Sequence, residues 1–403
     1  MSDLYDVAVV GAGPGGSAAA HYLAQQGRDV LLLDKSDFPR DKTCGDGLTP
    51  RALDVLRDMG ILEDAERAGF RINGLELYAK GVDTMFAEIP KHPVYPDHLL
   101  IVPRFKLDDL IRRRAVNSGA HFQSPVRVGN LQYDQDHVLL RAEQDGKAIT
   151  YKAKVVILAI GANMSLLRDL GLLKRLPRTI VAVRAYYEGM RGLSDRVQTY
   201  FDSVPMPGYG WIFPIAADAA NVGVGIQEKR SDQRSVSLRS ALDTFLQSAR
   251  LAPLMAGAKQ VGPIKSYPLR IDFTSAPTYG ERVLLVGETA GLVSPLTGEG
   301  IDFSLESGKL AAEFLSGVFE RGDFSRGSLA GYDKILRVHF QSIFRFLGYM
   351  RHLYVNPFLL RRVVSLCEKA PEIKRVFVNV LMSQQHPTKM LHPRILGRVL
   401  LGI

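Results

Sequence analysis

Tryptophan and cysteine are nearly missing from this chain: one Trp and two Cys occur in 403 residues. Cys44 and Cys367 cannot build a disulfide framework, which fits a reducing, cytoplasmic setting. None of the nine His stands in an H-E-x-x-H pattern and no C-x-x-C occurs, so no metal site is expected. A Ser-His-Asp order and a P-loop are missing too. No uncharged apolar run reaches about eighteen residues, so no spanning helix is expected. The first strand-like run begins at residue 6, which leaves no room for a signal peptide. Internal repeats and low-complexity segments do not stand out. Acidic residues are scarce at one end: residues 331–403 hold twelve Lys/Arg and three Asp/Glu, and the rest of the chain balances. The whole net charge of +9 therefore sits in one segment. That placement argues against a general nucleic-acid surface and for one specialised basic end.

What is present is ordinary globular material, 46% hydrophobic and 23% charged, enough for two domains or one large one carrying an inserted sheet. Its first forty residues are the informative part. Asp6 to Val10 is a short apolar run, the pattern of a buried parallel strand. Gly11-Ala12-Gly13-Pro14-Gly15-Gly16 follows, then a small-residue helix from Ser17 to Ala24, Gly27, and a second apolar strand ending at Asp34. G-x-G-x-x-G gains meaning from that context. Gly11 permits the turn, Gly13 lets a pyrophosphate approach the backbone, and Gly16 lets helix and strand pack closely. The helix N-terminus offers N–H groups and partial positive charge to phosphates. Asp34 is placed for an adenosine ribose hydroxyl. A dinucleotide site is the reading.

Further on, Ser36 to Gly47 is a shaped loop with Arg40, Lys42, Cys44 and Asp46 as polar content. Pro50 to Met59 reads as a helix capped by Thr49, and Leu107 to Asn117 as another. Buried strands are expected at 155–160 and 282–287, sheet strands at 121–142, 180–188, 197–201, 210–214 and 220–226, and helices at 238–249 and 301–321. The nucleotide domain is thus assembled from distant pieces. The expected division is 1–70, 104–175 and 275–330 for the nucleotide domain, 71–103 and 176–274 for a substrate sheet domain, and 331–403 for a basic amphipathic helical segment.

Four elements coincide: the opening fingerprint; Arg40-x-x-x-Cys44-Gly45-Asp46-Gly47; Gly161-Ala162-Asn163-x-Ser165-x-x-Arg168; and Val286-Gly287-Glu288-x-Ala290-Gly291 with Pro295-Leu296-x-Gly298-Glu299-Gly300. Together they resemble the flavoproteins of para-hydroxybenzoate-hydroxylase fold, and within them the geranylgeranyl reductase family, most like its menaquinone reductases. The resemblance covers residues 1 to about 320. Pro39 to Pro50 and Pro207 to Pro214 carry its most specific stretches. It implies an α/β (α+β) architecture: a Rossmann-like FAD-binding domain, an inserted antiparallel-sheet substrate domain and a C-terminal helical segment. It implies FAD, held by Gly11, Gly13, Gly15, Gly16, Asp34, Lys35, Arg40, Cys44, Gly45, Arg104, Val126, Gly161, Gly287, Glu288, Pro295, Gly298, Gly300 and Ile301. In such folds the helix after Gly300 points its N-terminus at the flavin pyrimidine edge, where reduced flavin carries negative charge.

Three departures stand out. Glu288 replaces the usual Asp. Ile160 stands where the middle motif often has an acid, which leaves the electron donor open between NAD(P)H and a protein donor. Met206 occupies the proline position three residues before Tyr209, which fits the quinone branch better than the archaeal lipid reductases. Arg104 is expected at FAD phosphate or by the isoalloxazine, and Arg40 at the adenosine or the flavin.

The activity implied is hydride transfer from reduced flavin to an isolated C=C bond of a polyprenyl substrate, with an acid protonating the second carbon. Cys44, Tyr209 and Trp211 are the catalytic candidates. Cys44 reads either as a proton donor or as an inert small residue. Tyr209, Trp211 and Phe213 share one face of a strand and read either as an apolar wall for the prenyl chain or as sheet core. A hydroxylase on the same fold is the alternative. A halogenase, which needs a lysine beside paired tryptophans, is disfavoured by the single Trp. The C-terminal segment interleaves Arg337, Arg345, Arg351, Arg361, Arg362, Lys374 and Arg375 with apolar runs that include Phe340, Phe344, Leu347 and residues 395–403. It reads as helices packed on the body, as a peripheral membrane surface, or as both.

Overall fold

Three apolar strands that are far apart in sequence lie side by side in the computed structural model, which describes residues 4–81, 84–177, 179–205, 207–227, 237–354, 356–382, 384–393, 395 and 397. Tyr5–Val10 sits between Val30–Leu33 and Lys147–Leu158, and Val283–Leu285 lies beyond the latter, all parallel. His121–Gln123 extends one edge in parallel, and Tyr279–Gly280 closes the other antiparallel. Arg127–Tyr133 and Val138–Gln144 form an antiparallel extension on Lys147–Leu158. Val7, Ala8, Val9, Leu31, Leu32, Val156 and Ile157 are wholly buried, which is why these strands read as continuous apolar runs rather than alternating ones.

Helix Pro14–Gln25 returns from the first strand to the second and packs on helix Ile301–Arg321. Glycine permits the approach: a Cβ at Gly308 would lie 2.3 Å from the Gly15 carbonyl oxygen, and one at Gly15 would lie 2.9 Å from that of Ser304. Helix Pro50–Asp58 starts at Thr49, whose hydroxyl accepts from the Ala52 N–H, as the sequence predicts.

The second sheet has seven strands in the order Lys259–Arg270, Thr179–Glu188, Ala219–Gln227, Gly208–Ala216, Arg196–Tyr200, Gly74–Tyr78, Met85–Glu88. Lys259–Arg270 is absent from the sequence reading because Gly262, Pro263 and Pro268 interrupt it. It pairs with one neighbour only, and an edge strand tolerates proline. Leu99–Ile101 joins Gly47–Leu48 and Phe70–Ile72 in a separate three-stranded sheet rather than the seven-stranded one. Helix Leu62–Ala68 was also not expected.

Helix Arg326–Tyr354 runs from the first core outward. Phe340 and Phe344 meet Phe273 and Phe303 edge-on, and Leu347 is buried too, so these side chains are core and not a membrane face. Arg337 donates to the Phe273 and Ala276 carbonyls and to Asp333, which makes it an internal anchor. Helices Pro357–Lys369 and Pro371–Leu381 bury Leu360, Val364, Cys367, Ile373 and Phe377 against Leu75, Leu77, Met85 and Val197 of the second sheet. No helix among the described residues is long and apolar enough to cross a membrane. Met206, Val355 and residues 398–403 lie outside the described residues.

Candidate active site

A cavity of about 750 Å³ runs from the glycine-rich turn to the inserted sheet. Gly11, Gly13, Gly15, Asp34, Lys35, Arg40 and Val126 line one end. Cys44, Gly45, Arg104, Gly161, Gly287, Glu288, Gly298, Gly300 and Ile301 line its middle, and Phe201, Tyr209, Trp211, Phe213, Leu381 and Met382 its apolar end. Of the residues expected at the cofactor, Gly16 and Pro295 do not reach the lining. Gly16 is a packing position, where a Cβ would lie 1.9 Å from the Gly11 carbonyl oxygen. Pro295 is buried in the turn that leads to Gly298.

The residues fit a dinucleotide with two negative centres. Gly11 takes φ +106°, and a Cβ there would lie 2.3 Å from the Ala159 carbonyl oxygen, so the turn is tied to the neighbouring strand. Gly13 differs: an added Cβ would meet only the Arg40 guanidinium, at 3.7 Å, and no backbone. Helix Pro14–Gln25 starts at Gly13 and helix Ile301–Arg321 starts at Gly300, and neither glycine offers a side-chain cap, although Asp302 Oδ1 accepts from the Phe303 N–H at 2.9 Å in the second helix. Two helix N-termini thus line one cavity. The first suits a pyrophosphate, the second an anionic ring edge.

Asp34 clamps the turn to the second strand. Its Oδ2 accepts from the Ala12 N–H at 2.8 Å and its Oδ1 from the Ser36 N–H at 2.9 Å. Arg40 stands across from Gly13, 2.8 Å from Asp108 and 3.7 Å from Asp34. Arg104 is buried and holds Asp108 with two bonds, at 2.6 and 2.7 Å. Burial opposes its charge, but Asp108 more than compensates and Cys44 adds to the effect, so its pKa lies above the usual range. Its charge is already matched, which suits it to steadying the Cys44 loop rather than to receiving a phosphate. Glu288 points inward, not to solvent: Oε1 accepts from the Arg270 N–H at 3.2 Å, and Oε2 lies 3.4 Å from Lys42 Nζ.

At the apolar end the aromatic rings form one wall. Phe201 and Tyr209, Tyr209 and Trp211, and Trp211 and Phe213 have centroids 6.0, 5.9 and 6.2 Å apart. The Tyr209 hydroxyl donates to the Thr297 carbonyl, and burial raises its pKa. Its proton is directed at that carbonyl.

Two groups were missed as site residues. Asp46 lies under the Cys44 loop with φ +67° and is fully buried. Its Oδ2 accepts from Tyr186 at 2.7 Å and from Asn221 at 2.8 Å, and its Oδ1 has no partner. Burial pushes its pKa up to about 6, against the pull of Tyr186, Asn221, Arg184 and Arg104. Asn221 also donates to the Cys44 carbonyl at 2.7 Å and accepts from Trp211 Nε1 at 2.9 Å. The signal was there to find: Asn221 is polar within an otherwise apolar strand. The other is Glu299, which lines the cavity between Gly298 and Gly300. Burial first, and then the charge of Asp302, push its pKa well above the carboxylate range.

Comparison with known proteins identifies the family. The FAD binding domain family model matches residues 4–346. The chain is 35% identical over 329 residues to the menaquinone reductase of Mycolicibacterium smegmatis, covering 78% of this chain and 77% of that one. It is 29% identical over 364 residues to the digeranylgeranylglycerophospholipid reductase of Methanocaldococcus jannaschii, covering 88% of each. A geranylgeranyl bacteriochlorophyll reductase-like protein of Thermoplasma acidophilum shares the fold, with a TM-score of 0.81 at 23% identity over 94% of this chain and 99% of that one. So does a flavin-dependent brominase, with a TM-score of 0.78 at 23% identity over 94% and 93%.

Proposed function

The chain belongs to the FAD binding domain family, among its geranylgeranyl reductases, and is an FAD-dependent oxidoreductase; from that premise we propose that it saturates isolated C=C bonds of a polyprenyl lipid or isoprenoid quinone. The observation that carries this reading is continuity. The cavity that takes in the dinucleotide turn is also lined by the wall of Phe201, Tyr209, Trp211 and Phe213 and by Leu381 and Met382. An apolar chain lying along that wall would present an alkene to the middle of the cavity, between Cys44 and Gly298.

Bound FAD supplies two electrons as a hydride, drawn in turn from NAD(P)H or a protein donor. The chain's own residues do the rest. Gly13, Arg40 and the first turn of Pro14–Gln25 receive the pyrophosphate, and the first turn of Ile301–Arg321 favours the anionic ring. The aromatic wall excludes water and orients the alkene, which matters because an isolated alkene is a poor hydride acceptor. Asn221 and Asp46 hold the Cys44 backbone in place against the wall.

Delivery of the substrate from a bilayer is part of the same proposal. Tyr349 and Phe358 are exposed at 72% and 61%, and Arg345, Arg361 and Arg375 of the same basic segment are exposed as well. The helix that ends at Leu381 lies in that segment and reaches the cavity lining. Peripheral contact with anionic lipid would let a prenyl tail enter without crossing water.

The test is mass spectrometry of a C20 polyprenyl substrate after turnover by chemically reduced protein. A mass gain of two hydrogens supports the reading. A hydroxylated product formed with oxygen consumption would make the protein a monooxygenase instead.

A further inference from the structure

We propose that Glu299 is the acid that protonates the second alkene carbon, a deepening of the reductase reading on which it rests. The cavity lining offers few transferable protons in its middle. Tyr209 is engaged with the Thr297 carbonyl. Lys42 faces Glu288 at 3.4 Å and lies 4.3 Å above the Tyr267 ring, and Lys265 is bound to Asp41 at 2.7 Å. Cys44 accepts from the Arg104 guanidinium, which leaves its thiol proton as a competing donor. Glu299 is a carboxyl on the lining itself, where the prenyl wall meets the helix N-terminus expected at the flavin.

Its backbone is fixed. The Ser294 N–H donates to the Glu299 carbonyl at 2.7 Å, the Gly298 N–H to the Ser294 carbonyl at 3.0 Å, and the Glu299 N–H to Thr297 Oγ1 at 3.4 Å. Gly298 takes φ +76° to form this turn. The groups around the carboxyl favour its neutral form. Burial and the Asp302 charge raise its pKa, and Thr297 and Arg51 only partly oppose them. Arg51 is itself matched by Glu306, with Nε to Oε1 at 2.8 Å. Glu299 is thereby biased toward the protonated form that an acid catalyst needs.

The electron count closes. The alkene π pair forms one new C–H bond with the proton of Glu299, and the hydride from the reduced flavin forms the other. The alkene is reduced, the flavin is oxidised, and Glu299 is left as a carboxylate. The N-terminus of Ile301–Arg321 stabilises that developing charge. Asp302, whose charge acts on Glu299, would return the proton once it is itself protonated. Burial raises it to about 6, against Arg51, with Thr49 Oγ1 at 3.3 Å, and Glu306 beyond it is partly exposed.

Glu299→Gln keeps the shape and removes the acid. Two readouts on the yellow holoprotein test it. Infrared difference spectra at pH 7 should show a protonated carboxyl band that shifts in deuterated water and is missing from Glu299→Gln. Single-turnover saturation of a C20 polyprenyl alcohol by chemically reduced protein should slow by roughly 100-fold, with flavin content unchanged, and Glu299→Asp should recover part of the rate. No such band in the wild type, or a Glu299→Gln rate within about twofold of it, overturns the inference and leaves the reductase reading standing. If the wild type saturates nothing, the reductase reading falls and the inference with it.

Discussion

The Asn221 side-chain nitrogen donates to Asp46 Oδ2 at 2.8 Å, and this contact fastens the inserted sheet to the loop that carries Cys44. The carboxyl is fully buried and has an unpartnered second oxygen, so its charge is costly. Its folded pKa of about 6 lies above the unfolded value of 3.8. The folded state therefore binds the extra proton between those values, and this group's contribution to stability improves as pH falls through 6. In Asp46→Asn that gain is missing. Denaturant unfolding at pH 7 and pH 5 should show the wild type gaining about 1 kcal/mol on the variant over that step. An equal pH response of the two proteins would count against a titrating Asp46.

Two glycines of the opening turn should fail differently. Gly13→Asp has room but places a carboxylate where the pyrophosphate belongs, within reach of Arg40. It should fold and purify colourless. Gly16→Ala meets the Gly11 carbonyl at 1.9 Å and should lower the yield of folded protein instead. Absorbance of bound flavin against circular dichroism separates the outcomes. A folded, fully yellow Gly13→Asp would remove the turn from the cofactor site.

Trp211 is both wall and donor. Trp211→Phe keeps an apolar ring but loses the bond to Asn221, and Trp211→Ala loses both. Turnover of a C20 substrate should fall by roughly tenfold or more in the alanine variant and less in the phenylalanine one, with flavin content nearly constant. Equal turnover in all three proteins on the long substrate would return Trp211 to ordinary core.

The protein should sediment with anionic vesicles and less with neutral ones, and salt should weaken the binding, with each exposed cation contributing about 1 kcal/mol. Arg361→Glu with Arg375→Glu should release it. Lys374 is a poor choice for the same test because it is bound to Glu368 at 2.8 Å and to the Phe86 carbonyl at 3.0 Å. Wild-type protein left in the supernatant at low salt would end the membrane proposal.

The local signals were legible because they depend on neighbours in sequence. Gly11, Gly13 and Gly16 are forced by a turn and a close approach, the apolar runs by burial on both faces, and Thr49 by a helix start. The long helix over 301–321 was read with its full span for the same reason. Tertiary structure decided whatever depends on distant partners. It put Phe340, Phe344 and Leu347 in the core, because amphipathic spacing names a face without naming what covers it. It made Lys259–Arg270 a strand in spite of its prolines, because the sheet edge asks for bonds on one side only. It turned the Tyr209 hydroxyl to the Thr297 carbonyl and buried Asp46 beside Tyr186 and Asn221, because burial and pairing set a side chain's proton, and for Asp46 residues more than a hundred positions away supply both partners.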